Sequence, residues 1–441
     1  MKVLKFGGTS VGSPKRMQEV CKLITDGTSK IVVLSAMSGT TNTLVEIDEY
    51  FSKGNAEAAN RLINKLRIKY MEHVGELYKT EEMAEATRES LQEIFLYLYS
   101  FGGIKYDAYY EKEILAQGEL MSTCMVTNYL KEQGVSVKLI PALDFMRIYH
   151  NGEPDFIHIK EELEKILSKD ASYDIYITQG FICRDEDGRV TNLQRGGSDY
   201  TASLIGAAVN AEEIQIWTDI DGMHNNDPRV VDKTSPVRQL NFEEAAELAY
   251  FGAKILHPTC IQPARISGVP VRLLNTMNPA APGTLINDEM QQGCIKAVAA
   301  KENITAIKIV SSRMLLATGF LRKVFEIFED YETSIDMVTT SEVGVSLSID
   351  NKKHLSPIID ELKKYGTVEV DENMCIVCIV GDLRWGNIGF ETLVTGALAN
   401  IPVRMISYGG SNHNISVLIK NEDKEAALKA LSEKLFNQKK D

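Results

Sequence analysis

Positive charge is what this chain lacks. It carries 48 Lys and Arg against 61 Asp and Glu, a formal net charge of −13. No cationic excess exists to neutralise phosphates, which argues against nucleic acid or an anionic membrane as a non-specific partner. Long apolar runs are missing too: nothing approaches the roughly 18 uninterrupted apolar residues that a membrane helix needs. The amino terminus, Met1-Lys2-Val3-Leu4-Lys5-Phe6-Gly7-Gly8, lacks the apolar stretch of a signal peptide and reads as a short strand entering glycines. The expected location is therefore the cytoplasm. Cysteine is sparse and odd in number, seven in 441 residues, which suggests reduced thiols rather than a disulfide framework. Only Cys375-Ile-Val-Cys378 resembles a motif, and it lies in an apolar run, Met374–Val380. Residues three apart on a strand face opposite ways, so these read as core cysteines and no metal ligand is assigned. His257-Pro258 has no second histidine at ligand spacing and reads as a loop histidine.

What is present is ordinary globular composition, 44% hydrophobic and 25% charged. The length fits about three domains. Short apolar runs at Val3–Phe6, Ile31–Leu34, Val135–Pro141, Ile175–Thr178 and Ile214–Trp217 alternate with helical patterns, which predicts an α/β sandwich with a largely parallel sheet. Ligands in such sheets gather at the carboxyl ends of strands. Residues 43–130 show helical spacing throughout and read as a helical insertion or lobe. Asn278-Pro-Ala-Ala-Pro-Gly283 and Gln291-Gln-Gly293 punctuate the chain, so a first domain is expected over 1–298. Beyond it a strand, a helix, a strand and a second helix can be read, then a second round of strand, helix, two strands and helix, with Gly319 and Gly389 at equivalent positions. That predicts tandem ferredoxin-like βαββαβ units, drawn at 299–372 and 373–441 and left open to interleaving.

Several segments could carry chemistry. Lys5-Phe-Gly-Gly-Thr-Ser10 follows the first strand, where glycines let backbone N–H groups approach an anion and Lys5 adds charge. It is not a Walker A motif, and alone it reads equally well as a tight turn. Arg195-Gly-Gly-Ser-Asp199 precedes a helix, which makes an anion site with an Arg suited to a carboxylate; Ser198 could instead simply cap the helix. Trp217-Thr-Asp-Ile-Asp-Gly222 ends a strand with two acids fit for Mg²⁺ or a ribose hydroxyl, or for a plain surface turn. Phe251-Gly-Ala-Lys254 ends a helix opened by the capping box Asn241-x-x-Glu244. Lys254 could complement the helix dipole or reach a phosphate. Lys5, Arg195, Arg229 and Lys254 thus stand near glycine turns in an acidic protein. The physical reading is a nucleotide and a carboxylated ligand brought together for phosphoryl transfer.

Lys5-Phe-Gly-Gly-Thr-Ser-Val11, Leu34-Ser-Ala-Met-Ser-Gly-Thr-Thr-Asn42, Gly118-Glu-Leu-Met-Ser122, Arg195-Gly-Gly-Ser-Asp199, Trp217-Thr-Asp219, Asp227-Pro-Arg229 and Phe251-Gly-Ala-Lys-Ile-Leu-His-Pro258 together resemble aspartate kinase. They stand in that family's order, and the carboxyl-terminal repeat resembles its ACT domains. The resemblance implies the amino-acid kinase α/β/α sandwich and transfer of the γ-phosphoryl group of MgATP to L-aspartate. The product would be 4-phospho-L-aspartate, on the way to lysine, threonine and methionine. It implies Lys5 as the transition-state cation, oriented by Asp199, with Gly7 and Gly8 at the phosphates. Ser35, Thr41, Glu119, Arg195, Gly196 and Ser198 would hold aspartate, Glu119 at its ammonium and Arg195 at its α-carboxylate. Thr218, Asp219, Arg229 and Lys254 would surround the nucleotide.

The resemblance extends to the lysine-sensitive class, through Met314-Leu-Leu-Ala-Thr-Gly-Phe-Leu321 and Ser334-Ile-Asp336 followed by Thr339-Thr-Ser-Glu-Val343. It implies an inhibitory L-lysine between ACT units, held by Met314, Ala317, Gly319, Phe320, Leu321, Ser334, Asp336, Ser341 and Glu342. It also implies a homodimer or dimer of dimers through the ACT domains. Gln194 and His224 depart from the family pattern, which usually has Gly and often Tyr there. The competing readings are another amino-acid-kinase enzyme and a catalytically silent ACT amino-acid sensor.

Overall fold

A computed structural model describes residues 1–169, 172–193, 196–252, 256–314 and 318–436. The chain forms two compact units, Met1–Met223 with Ile255–Asp288, and His224–Lys254 with Glu289–Asp441. The first unit opens with β1 (Lys2–Phe6), α1 (Pro14–Ile24), β2 (Lys30–Leu34) and α2 (Thr40–Ser52). Three long helices follow, α3 (Ala56–Leu77), α4 (Glu81–Ser100) and α5 (Tyr110–Glu132). Next come β3 (Val137–Leu139), α6 (Phe156–Lys169), β4 (Ile175–Gln179), β5 (Ile182–Arg184) and β6 (Val190–Asn192). After α7 (Gly197–Ala208) and β7 (Ile214–Thr218), β8 (Gln239–Asn241) and α8 (Phe242–Tyr250) belong to the second unit. α9 (Gln262–Ile266), β9 (Val271–Asn275) and β10 (Thr284–Asn287) complete the first.

The main sheet of this unit runs β3-β4-β2-β1-β7-β9-β10, parallel except for its last pair. β2, Lys-Ile-Val-Val-Leu, is buried at every position, the unbroken apolar pattern of a strand covered on both faces. β1 has β2 on one side and β7 on the other. Crossovers leave it in opposite directions, which opens a crevice at its carboxyl end. The expected helical insertion is not a separate lobe. Ile63, Tyr70, Leu91, Phe95 and Met125 from α3, α4 and α5 share one core with Phe6, Leu34 and Met37. Each such side chain fully buried contributes roughly 1.5–3 kcal/mol, so the insertion is fastened to the sheet rather than hung beside it.

The second unit continues with β11 (Ile295–Val310), α10 (Phe320–Asp330), β12 (Met337–Thr340), β13 (Gly344–Ile349) and α11 (Leu355–Leu362). β14 (Thr367–Gly381), α12 (Phe390–Ala397), β15 (Val403–Tyr408), β16 (Asn414–Lys420) and α13 (Lys424–Phe436) follow. One antiparallel sheet orders the strands β12-β13-β11-β14-β16-β15. The repeat is visible in the caps: Gly319 and Gly389 both take left-handed backbone ahead of α10 and α12.

β11 and β14 each run straight through a boundary expected from the sequence, at 298/299 and at 372/373. Thr305–Val310 pairs with β13 and with Thr367–Asp371, over a core of Ile307, Val324, Phe328, Leu347 and Ile358. Ile295–Lys301 pairs instead with Ile376–Gly381, over a second core with Val298, Cys375, Val377, Val394 and Leu428. The strand that closes the second repeat therefore precedes the first. Asn303 and Asn373, where the two long strands pass from one core to the other, both take positive φ, which Asn tolerates best after Gly. Ile295-Lys-Ala-Val-Ala-Ala-Lys301 is alanine-rich, so its strand character comes from pairing with β14 rather than from propensity. Cys375 and Cys378 are both fully buried, and burial pushes the Cys375 thiol up to about 12, as core cysteines require.

Candidate active site

The crevice of the first unit is built by loops that leave β1, β2, β4 and α7. Lys5, on β1, places its ammonium 2.7 Å from Asp199 on the first turn of α7, and both are largely buried. Gly7 follows directly, and a Cβ there would lie 3.5 Å from the Lys5 ammonium. Gly8 packs so closely on the loop after β2 that a Cβ would meet the Ala36 carbonyl at 2.8 Å, and its own carbonyl accepts from the Ser38 N–H. Two loops are thereby locked together at adjacent strand ends.

A cleft of about 350 Å³ opens between them, lined by Gly8, Ser35, Thr41, Glu119, Gly197 and Ser198 among others. Glu119 reaches it because α5 lies hard against the β2 loop: a Cβ at Gly118 would meet that of Ala36 at 2.8 Å. Ser122, one turn on, donates to the Ser35 carbonyl at 2.8 Å. Glu119 is only 4% exposed. One carboxylate oxygen accepts from the Ala36 N–H at 3.1 Å, while the other is buried without a partner. Burial pushes this carboxyl up to about 7, against the Ala36 hydrogen bond that lowers it. A buried acid with one free oxygen in a cleft wall is a receptor for a cation.

Opposite stands the N-terminus of α7. Gly196 caps it at φ 66, and any Cβ there would collide with the Cys260 sulfur. The free N–H groups of that turn favour an anion. The cleft therefore offers an acid and a helix N-terminus in its lining, with the Lys5–Asp199 pair close by. That is complementary to a zwitterion bearing a further carboxylate, beside a phosphate.

The remaining expected residues distribute unevenly. Thr218 ends β7, next to β1, and its hydroxyl donates to Asp219 at 3.1 Å. Trp217 stacks on Phe6 with centroids 5.6 Å apart, which fixes that strand end. Arg229 belongs to the second unit, is highly exposed, and forks onto Asp227 at 2.9 and 2.7 Å. His224, also there, bonds Thr234 at 2.8 Å. Gln194, Arg195 and Lys254 lie outside the described residues, as does Ala317.

Of the residues assigned to lysine, Met314 and Phe320 pack on the first core of the second unit, and Leu321 is partly exposed. Ser334, Ser341 and Glu342 are exposed. Asp336 is not a solvated loop acid: its side chain is 1% exposed and sits 2.8 Å from the Lys301 ammonium.

Sequence reasoning passed over Phe181 and Tyr70. Phe181 lines the cleft with φ 69, its N–H held by the Thr201 hydroxyl. It follows β4, a strand end worth searching, but an apolar side chain does not attract attention there. Tyr70, fully buried on α3, bonds Thr40 at 2.9 Å and so pins the start of α2 beside the cleft. Nothing in a helical stripe distinguishes it from plain core.

Residues 1–275 match the amino acid kinase family, and residues 377–435 match an ACT domain. The fold and site thus define an amino acid kinase carrying an ACT regulatory region. Lysine-sensitive aspartokinase 3 of Escherichia coli is 34% identical over 98% of this chain and 99% of its own. E. coli aspartokinase III in complex with aspartate and ADP (R-state) superposes with a TM-score of 0.82, at 34% identity over 99% of this chain and 100% of that one. Its complex with lysine and aspartate (T-state) gives the same TM-score and identity over 99% of both chains. The chain belongs to the aspartokinase family, ATP-dependent kinases that phosphorylate aspartate.

Proposed function

We propose that the cleft binds L-aspartate with its ammonium on Glu119 and its β-carboxylate directed to the γ-phosphorus of MgATP near Lys5. The observation that carries this is the unpartnered buried oxygen of Glu119 in a cleft faced by the α7 N-terminus. Ser35, Thr41, Gly196 and Ser198 complete the aspartate wall, with Arg195 at the α-carboxylate. Gly7 and Gly8 bring backbone N–H groups to the phosphates. Thr218, Asp219, Arg229 and Lys254 serve the nucleotide, which carries its own Mg²⁺. No cluster of three or more His, Cys, Asp or Glu suited to a resident metal occurs among the described residues.

The chemistry follows from charge. The nucleophile is already a carboxylate, so no proton need be removed. A carboxylate oxygen forms a bond to the γ-phosphorus as the bond to the bridging oxygen breaks, giving an acyl phosphate and ADP. What such a reaction needs is positioning and neutralisation of the phosphoryl oxygens. Lys5 supplies the positive charge, and Asp199 holds its ammonium in place at 2.7 Å.

The second unit carries control. L-lysine binds beside α10, with its ammonium at Asp336 and its carboxylate toward the helix start at Gly319, and favours an arrangement of lower activity. The enzyme works in the cytoplasm as a homodimer or dimer of dimers joined through its ACT domains. A coupled ADP-release assay across aspartate, glutamate, N-acetylglutamate, carbamate and UMP, with and without lysine, tests both halves. Turnover on any acceptor but aspartate would overturn the first, and indifference to lysine the second.

A further inference from the structure

Asp336 has more partners than an effector site alone would need. Its Oδ1 takes the Lys301 ammonium at 2.8 Å and the Tyr250 hydroxyl at 2.6 Å. Lys301 is also 2.9 Å from Asp350 and stands over the Tyr250 ring, 4.2 Å from its centroid. Asp336 Oδ2 is buried and has no partner. A second ammonium can therefore reach Asp336 without evicting Lys301, but it must share the carboxylate with Lys301 and Tyr250.

Tyr250 is the last residue of α8, and the chain after it is clamped to the same strand. Gly252 adopts φ 135, and a Cβ there would collide with the carbonyl of Ala300, the residue before Lys301. Tyr250 and Gly252 thus fasten the end of α8 at two points to the strand that carries Lys301. Lys254, two residues beyond Gly252, is the cation assigned to the nucleotide.

We propose that Tyr250 and Lys301 are the reading device of the effector site: a ligand ammonium on Asp336 Oδ2 weakens the hold of Oδ1 on Tyr250, and α8 passes the change to the segment bearing Lys254. Two donors on one carboxylate compete for its charge with a third, which supplies the differential contact that any allosteric effect requires. This rests on the reading of Asp336 as the lysine acid. It adds that the signal leaves through a tyrosine hydroxyl and bears on the nucleotide.

The test is Tyr250→Phe in the full-length enzyme, which removes one oxygen and keeps the ring under Lys301. Lysine binding is measured by calorimetry with and without a non-hydrolysable MgATP analogue, and lysine inhibition by ADP release. The wild type should bind lysine several-fold more weakly when the analogue is present, within the roughly 5–150-fold range of allosteric coupling. In Tyr250→Phe that factor should fall below about threefold and the inhibition curve should flatten, with lysine affinity in the absence of nucleotide and uninhibited turnover little changed. Wild-type coupling retained in Tyr250→Phe overturns the proposal while leaving the lysine site standing. A wild type that binds no lysine overturns the site reading and this one with it. Gly252→Ala gives an independent arm: it should also uncouple, and unaltered coupling in a folded Gly252→Ala protein counts against the route through Phe251–Lys254.

Discussion

Each unit contains a lysine and an aspartate in close contact, and the two pairs are nearly alike in length. Lys5 and Asp199 are 2.7 Å apart in the first unit, Lys301 and Asp336 are 2.8 Å apart in the second. Their surroundings differ. Lys5 has one acid and sits at the end of β1, beside a cleft. Lys301 is held by two acids and an aromatic ring, and its principal partner keeps an oxygen unbonded. Burial of a charge is costly unless it is paired, so what is left unpaired shows what each site is for. The first pair leaves ammonium protons to offer to an anion. The second leaves a carboxylate oxygen to offer to a cation. On the function proposed above, one geometry serves catalysis and the other control because the spare valence has opposite sign.

The largest expected effect comes from deleting the spare cation. Lys5→Met should lower kcat by about 10²–10³, the usual weight of a charge placed where negative charge develops. Aspartate binding by calorimetry should persist, since Glu119 and the α7 N-terminus remain. A variant that kept more than about a tenth of wild-type kcat would break the comparison at its catalytic end.

Next in size is Glu119→Gln. It should raise the KM for aspartate by roughly 10–150-fold, matching about 1.5–3 kcal/mol for a charge-assisted hydrogen bond, while kcat changes less. The same substitution should stabilise the unliganded protein, with a definite pH dependence. Burial pushes the Glu119 carboxyl up from its ordinary 4.5 to about 7, so the folded state binds its proton more tightly than the unfolded state. The burden of the buried carboxylate is therefore absent below pH 4.5, grows as pH rises through that window, and is complete above about 7. Thermal melts should place Glu119→Gln above the wild type at pH 8 and level with it near pH 4.5. The reverse order would remove Glu119 as the strained acid. For the wild type, aspartate affinity should weaken as pH falls below about 7, because the bound ammonium requires the carboxylate.

These two sites were unequally legible in the sequence. Lys5 lies near the end of β1, Gly8, Ser35 and Thr41 follow strands, and Glu119 and Ser198 lie on motif-bearing helices, and a parallel sheet sends every strand end to the same edge. Their convergence follows from topology. The strand, helix and cap positions of the repeat were equally readable, down to Gly319 and Gly389. Lys301 was not, because it lies in an alanine-rich stretch that reads as a linker and becomes strand only by pairing with β14. Tyr250 was hidden for a related reason: its ring lies on an amphipathic helix, and only tertiary contact shows its hydroxyl on Asp336, 86 residues away.

Asp336→Ala should come third. It removes the acid assigned to the ligand and should raise the lysine concentration for half-inhibition about tenfold or more, with uninhibited turnover intact. Unchanged lysine sensitivity would move the effector site elsewhere in the second unit.

The smallest effect sharpens the comparison most. Asp350→Asn would leave Lys301 with one acid, as Lys5 has. Asp350 is partly exposed, so its contribution to stability should be small, about 0–1 kcal/mol. The consequence for the ligand has a sign that follows from Coulomb's law. With Asp350 neutral, the Lys301 charge is balanced by Asp336 alone, and the potential at Asp336 Oδ2 becomes less negative. A ligand ammonium there should bind more weakly by about 0.5–1 kcal/mol, so half-inhibition by lysine should need a few-fold higher concentration, and the difference should shrink in added salt. Tighter lysine binding in Asp350→Asn would mean that Asp350 holds Lys301 in the way of the ligand. The spare oxygen of Asp336 would then have lost its place as the feature that separates the two pairs.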